Sequence, residues 1–241
     1  MVSEIGEVRR TIRQRFYLYA WVCAAAVLFA GFARTYFLKT FFGTPTLYPL
    51  LHVHGIVMTS WFVLFAAQAW LVEVHRTDLH RRLGVIGVLL ASMILTVGAA
   101  VVIINAREGR VPPGAPVPVI VALSFGSLLA FGILIAAAVY LRARSESHKR
   151  LMLLATINLL SAAIQRIPLD FIDSGGVLAV FGLLDLFIVV CVVYDTARHR
   201  RLHPAFAWGA LLSILWPVLA IMLGGSSAWG KFTNRLISNG T

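Results

Sequence analysis

The chain has 241 residues, 59 % of them hydrophobic and 13 % charged, with a formal net charge of +11 and a mean hydropathy of +0.85. Soluble domains carry about 25 % charged residues, so a soluble module is excluded; the pattern is that of an all-α, polytopic transmembrane bundle forming one domain over residues 1–241. The positive charge does not signal nucleic acid, because the basic residues form short clusters between apolar runs, the arrangement that sets membrane topology.

Residues 1–15 carry Arg9, Arg10, Arg13 and Arg15, and a first span follows at about 16–32. It is long and aromatic for a signal-peptide core and lacks a small-x-small cleavage site before Arg34, so it reads as a retained helix. The loop at 34–49 holds Tyr36, Phe37, Phe41, Phe42 and Tyr48, which suit a membrane interface. The second span, about 50–72, has no charge. His54, Trp61, Gln68 and His75 recur every seven residues there and form one slowly drifting polar stripe, which should face the bundle interior. His52 lies about 200° from His54 on a regular helix. The two share a metal ion only if Pro49 loosens the first turn and the His-Val-His tripeptide is extended. Otherwise they are interfacial residues bonded to water or headgroups, or members of a proton relay.

A basic turn at 73–82 leads to the third span at about 84–105 and a proline-stiffened loop at 110–118. The fourth span is about 119–141, and the basic loop 142–150 precedes the fifth at about 151–167. The sixth, about 177–194, contains Asp185; the last basic loop precedes a seventh at about 206–223. Trp229, Phe232 and Leu236 then recur at near-helical spacing, as in a helix lying on a membrane surface. The N-terminus and the three basic loops carry 14 Lys and Arg, and the opposite side carries 6. That bias predicts seven spans with the N-terminus cytoplasmic and the C-terminus outside. Cys23 and Cys191 fall inside spans and offer no disulfide, only small buried side chains.

One motif recurs. Asp78–Leu83, Glu146–Leu151 and Arg198–Leu202 each read His, basic, Arg, Leu, and each precedes an odd-numbered span. Repeated helical hairpins, copied and diverged, account for this. The Lys and Arg serve topology and anionic headgroups. The histidine needs another reason, because a basic residue would serve topology equally well. His75, His80 and His148 are candidate ligands of an inner site, and two imidazoles on facing helices would suit a b-type haem or a Cu, Zn or Fe ion. Local hydrogen bonding at a helix start is the competing explanation, favoured for His199 and His203.

The run Pro49–Gly55, a span, Asp78–Gly84, and a second span-plus-Ser147–Leu153 unit resembles the CtaM-type maturation factors of haem-copper terminal oxidases and related bacterial membrane proteins with His-Arg helix starts. The likeness covers about 49–160 and rests on Pro49, His80, Leu83, His148 and Arg150. It implies a bacterial inner-membrane factor handling respiratory haem or copper, with oxidase subunits or a quinone as partners beside membrane lipid. A homo-oligomer is left open. Polar amides are common in that family where His52 and His54 stand here, so a metal site at those two residues would be a departure.

Asp185 lies mid-span, and a carboxylate in hydrocarbon must be protonated, paired or wet. Asn158, Ser161 and Gln165 share one helical face and could bond Asp185 or Gln68 across the bundle, as structural glue or as a proton path. Arg166 is placed to pair with Asp170 or to meet an anion or haem propionate. The alternatives to a haem or metal protein are therefore a proton-coupled solute transporter built on Asp185 and a ligand-free assembly subunit. No hydrolase or nucleotide motif occurs, and no span has the interrupted look of a transporter helix.

Overall fold

The computed structural model describes residues 16–112 and 115–238, which form helices and turns with no strand among them. The basic run at Arg9–Arg15, part of the basis for orientation, lies outside the described residues. Helix α1 is Phe16–Phe32, continued by a π-helical turn at Ala33–Phe37; α2 is Pro49–Glu73 and α3 is Thr77–Arg107. Then come α4 (Val117–Tyr140), α5 (Ser145–Asn158), the single turn α6 (Ser161–Ile164), α7 (Asp170–His199), α8 (Pro204–Gly224) and α9 (Ser227–Ser238). Six of these, α1 with its π turn, α2, α3, α4, α7 and α8, are long and apolar enough to cross a membrane. The chain is a multi-pass, all-helical membrane protein.

The fifth predicted span, about 151–167, is the exception: it is interrupted. α5 stops at Asn158, and Leu159 and Leu160 turn through tighter bonds from Leu159 N–H to Thr156 O (3.2 Å) and from Leu160 N–H to Ile157 O (2.9 Å). Asn158 shows why. Its Nδ2 donates to Leu154 O and to Ser213 Oγ of α8, both at 2.8 Å, so its side chain joins two helices at the break. α5 is also the centre of the fold. Arg150 to Leu160 are buried except for Met152, enclosed chiefly by α4, α7 and α8.

Other boundaries move by a few residues for local reasons. Pro49 occupies the start of α2, where its missing N–H costs nothing. α3 begins seven residues before the predicted span, so the basic segment around His80 is helical, not a turn. The reversal between α2 and α3 is confined to Val74–Arg76, with His75 in the left-handed region at φ 60°. α7 is broken at Gly176 (φ 52°, ψ −132°), immediately before the predicted start of the sixth span. Lipid gives little hydrophobic drive between helices, so close packing falls to small residues. Gly126 of α4 lies under the Trp216 indole of α8, and Gly31 of α1 lies against the Ala163 backbone of α6. The amphipathic α9 is not a free surface helix. Trp229 Nε1 donates to Pro118 O (2.8 Å) and Arg107 Nε to Leu236 O (3.0 Å), tying it to α3 and α4.

Candidate functional site

His80 and His148 come together. Asp78 in the first turn of α3 suits the positive helix end, and His80 follows two residues later. Glu146 does the same for α5, and His148 again follows two residues later. The imidazole centroids are 6.2 Å apart with planes at 88°. His148 Nδ1–H donates to Ala138 O near the end of α4 (2.9 Å). A carbonyl only accepts, so Nδ1 carries a proton and Nε2 is the nitrogen left to act as a ligand. A carbonyl behind one ring nitrogen is the common support for a metal-binding histidine. His80 Nδ1 is buried without a hydrogen-bond partner among the described residues, as is Gln68 Oε1, and the Gln68 backbone lies beside the His80 ring. The polar stripe of α2 does face inward at Trp61, which is buried and donates from Nε1 to Thr156 Oγ1 (3.3 Å). It does not extend to His75, because α2 ends at Glu73 and His75 is exposed in the turn.

The other end of α2 does not make the expected two-histidine site. The helix is regular from Pro49, so His52 and His54 point to different sides and the extended tripeptide is ruled out. Tyr36, carried by the π-helical turn, packs on this first turn and donates from its hydroxyl to His52 O (3.4 Å). His54 Nδ1 is buried without a partner among the described residues. Arg166 donates to Ala162 O (2.6 Å) and stacks over Phe32 at 5.0 Å, and no ion pair joins it to Asp170.

No protein-family model, curated protein or solved structure matches this chain.

A second cluster was not foreseen. Arg150 of α5 forms a two-pronged ion pair with Asp195 of α7, Nε to Oδ2 at 2.9 Å and Nη2 to Oδ1 at 2.8 Å. The two side chains are 1 % and 3 % exposed. Nη1 donates to Glu146 O (2.7 Å) and Oε2 (2.6 Å), and Lys149 Nζ takes Glu146 Oε1 at 2.6 Å. Burial raises the Glu146 pKa, but the bonds from Lys149 and Arg150 outweigh it and hold the carboxyl down to about 2. His199 Nδ1–H donates to Asp195 O (2.8 Å). His203 caps α8 by accepting from Ala205 N–H at Nδ1 (3.1 Å), and burial lowers its pKa. The third copy of the histidine motif therefore ends a helix, where the first two begin one. The only sequence signal is that Arg150 and Asp195 are opposite charges at the ends of two predicted spans.

The proposed polar network around Asp185 does not form. Asn158 is committed to Ser213, and Gln165 is exposed. Asp185 Oδ1 and Gln68 Oε1 are each buried without a partner among the described residues. Cys191 is buried, Cys23 is exposed, and neither forms a disulfide. Among the described residues no group of three or more His, Cys, Asp or Glu converges, so the donor set at His80 and His148 is a pair.

Proposed function

We propose that this chain is a seven-span protein of a bacterial cytoplasmic membrane that holds a b-type haem, or failing that a transition-metal ion, between His80 and His148. Its role is oxidase maturation or electron transfer within the membrane, as the resemblance to CtaM-type factors implies. The single observation that carries this is the approach of His80 to His148 from two helices, with the His148 tautomer fixed by Ala138. His80 and His148 would hold the group between them: two imidazoles that share one metal centre at about 2 Å each stand roughly 6 Å apart, as these rings do. A two-donor set also favours haem, whose macrocycle brings its own four ligands. Bound there, the group would supply one-electron chemistry. The protein's share is to orient the rings: Ala138 O holds His148, and the packing of α2 against α3 seats His80 beside Gln68. With 14 Lys and Arg on the side of these residues and 6 opposite, the pair lies at the cytoplasmic end.

The test is an oxidised-minus-reduced visible spectrum of the purified protein with metal analysis of the same sample. A Soret band together with a sharp α band that appears on reduction, both lost in His80→Ala and in His148→Ala, is the expected result. Absorbance unchanged in both variants overturns the assignment. Copper or zinc without haem keeps the site and changes its occupant. A second reading, a proton-coupled solute transporter, is favoured only by the unpartnered Asp185 Oδ1. It requires a colourless, metal-free protein whose transport fails in Asp185→Asn.

A further inference from the structure

Between α5, the end of α7 and the start of α8 lies a cavity of about 100 Å³, lined by Glu146, Arg150, His199, Arg201 and His203. The walls are unequal in what they can still bind. Both Glu146 oxygens are already taken, by Lys149 and Arg150. Four of the five Arg150 N–H directions are used as well, on Glu146 and Asp195; the fifth meets no acceptor among the described residues, because the nearby His199 Nδ1 carries its own proton. What remains is donor capacity. Arg201 makes no hydrogen bond or ion pair among the described residues. His203 accepts at Nδ1 and so carries its proton on Nε2. The ion-paired groups around the cavity, Arg150 and Lys149 with Asp195 and Glu146, balance, and Arg201 leaves a net positive charge. The N-terminus of α8 adds to that potential. The volume holds several waters or one tetrahedral oxyanion.

We propose that this cavity is a phosphate site, taking either free inorganic phosphate or the phosphate of a lipid headgroup, with Arg201 and His203 as its donors and the Arg150–Asp195 pair as its fixed wall. The site is distinct from the His80–His148 pair. His148 and Arg150 are two residues apart on α5 and so point to different sides of that helix. It stands whether or not the pair binds haem.

The experiment uses the full chain in phosphatidylcholine nanodiscs, with thermal unfolding followed by tryptophan fluorescence. One arm titrates inorganic phosphate against chloride at matched ionic strength; the other places phosphatidic acid in the disc. Arg201→Gln is the test variant, in an exposed loop where folding is not at stake, and Arg142→Gln is the control for diffuse surface charge. A saturable rise in unfolding temperature, kept in R142Q and weakened at least tenfold in apparent affinity in R201Q, is the expected result. Its appearance with free phosphate, or only with phosphatidic acid, names the source. No rise in either arm, or a rise equally altered in R201Q and R142Q, or unaltered in R201Q, overturns the site.

Discussion

At the scale of single residues the decisive feature is the Arg150–Asp195 pair. Two charges taken out of water contribute little net stability, but removing one partner strands the other at a cost of about 3–5 kcal/mol. Asp195→Asn should therefore lower the unfolding temperature of the detergent-solubilised protein markedly, and Arg150→Met combined with Asp195→Leu should recover much of the loss. An Asp195→Asn protein as stable as the parent would contradict the pairing. Glu146 adds a pH dependence whose sign is fixed by its environment. Its carboxyl is held from an ordinary value of 4.5 down to about 2. The ionised form is thus favoured by folding, so its contribution is complete above the ordinary value and disappears as pH falls from about 5 to about 2. The side chain is half exposed, so solvent screens the effect and it is modest. Unfolding temperature measured across that window should fall less steeply in Glu146→Gln than in the parent.

At the scale of helices, packing rests on small residues placed under large ones. The Trp216 indole fills the space a side chain on Gly126 would need. Gly126→Ala should cost about 1–3 kcal/mol through overpacking, read as a lower unfolding temperature, and Trp216→Leu in the same chain should restore part of it. Six long helices were legible because their apolar runs exceed the thickness of a bilayer. The break at Leu159–Leu160 was not. No glycine or proline marks it, and Asn158 and Ser161 on either side look like ordinary polar residues of a span; the side chain at the break reaches Ser213, 55 positions away. The extended His52–His54 tripeptide failed for the opposite reason. Pro49 starts a regular helix, so the condition under which the two could share a metal ion is not met.

At the scale of the molecule, His80 and His148 could be singled out because a repeated motif placed a histidine twice where topology needed only a cation. Arg150 and Asp195 carry no such local mark, being 45 residues apart with no shared spacing. The proposed seven-span orientation makes a direct prediction about α5 and α6. In a chain with Cys23 and Cys191 replaced by Ala, Asp173→Cys should react with an impermeant maleimide from outside intact cells, and Arg142→Cys only after permeabilisation. Equal reaction of both would mean that α5 and α6 do not cross. The same geometry orders events during synthesis. Arg150 leaves the ribosome with Glu146 beside it but 45 residues ahead of Asp195, so the helix destined for the centre first emerges with its cation only half partnered. The buried pair at the centre of the fold is complete only once the C-terminal end of α7 has been made.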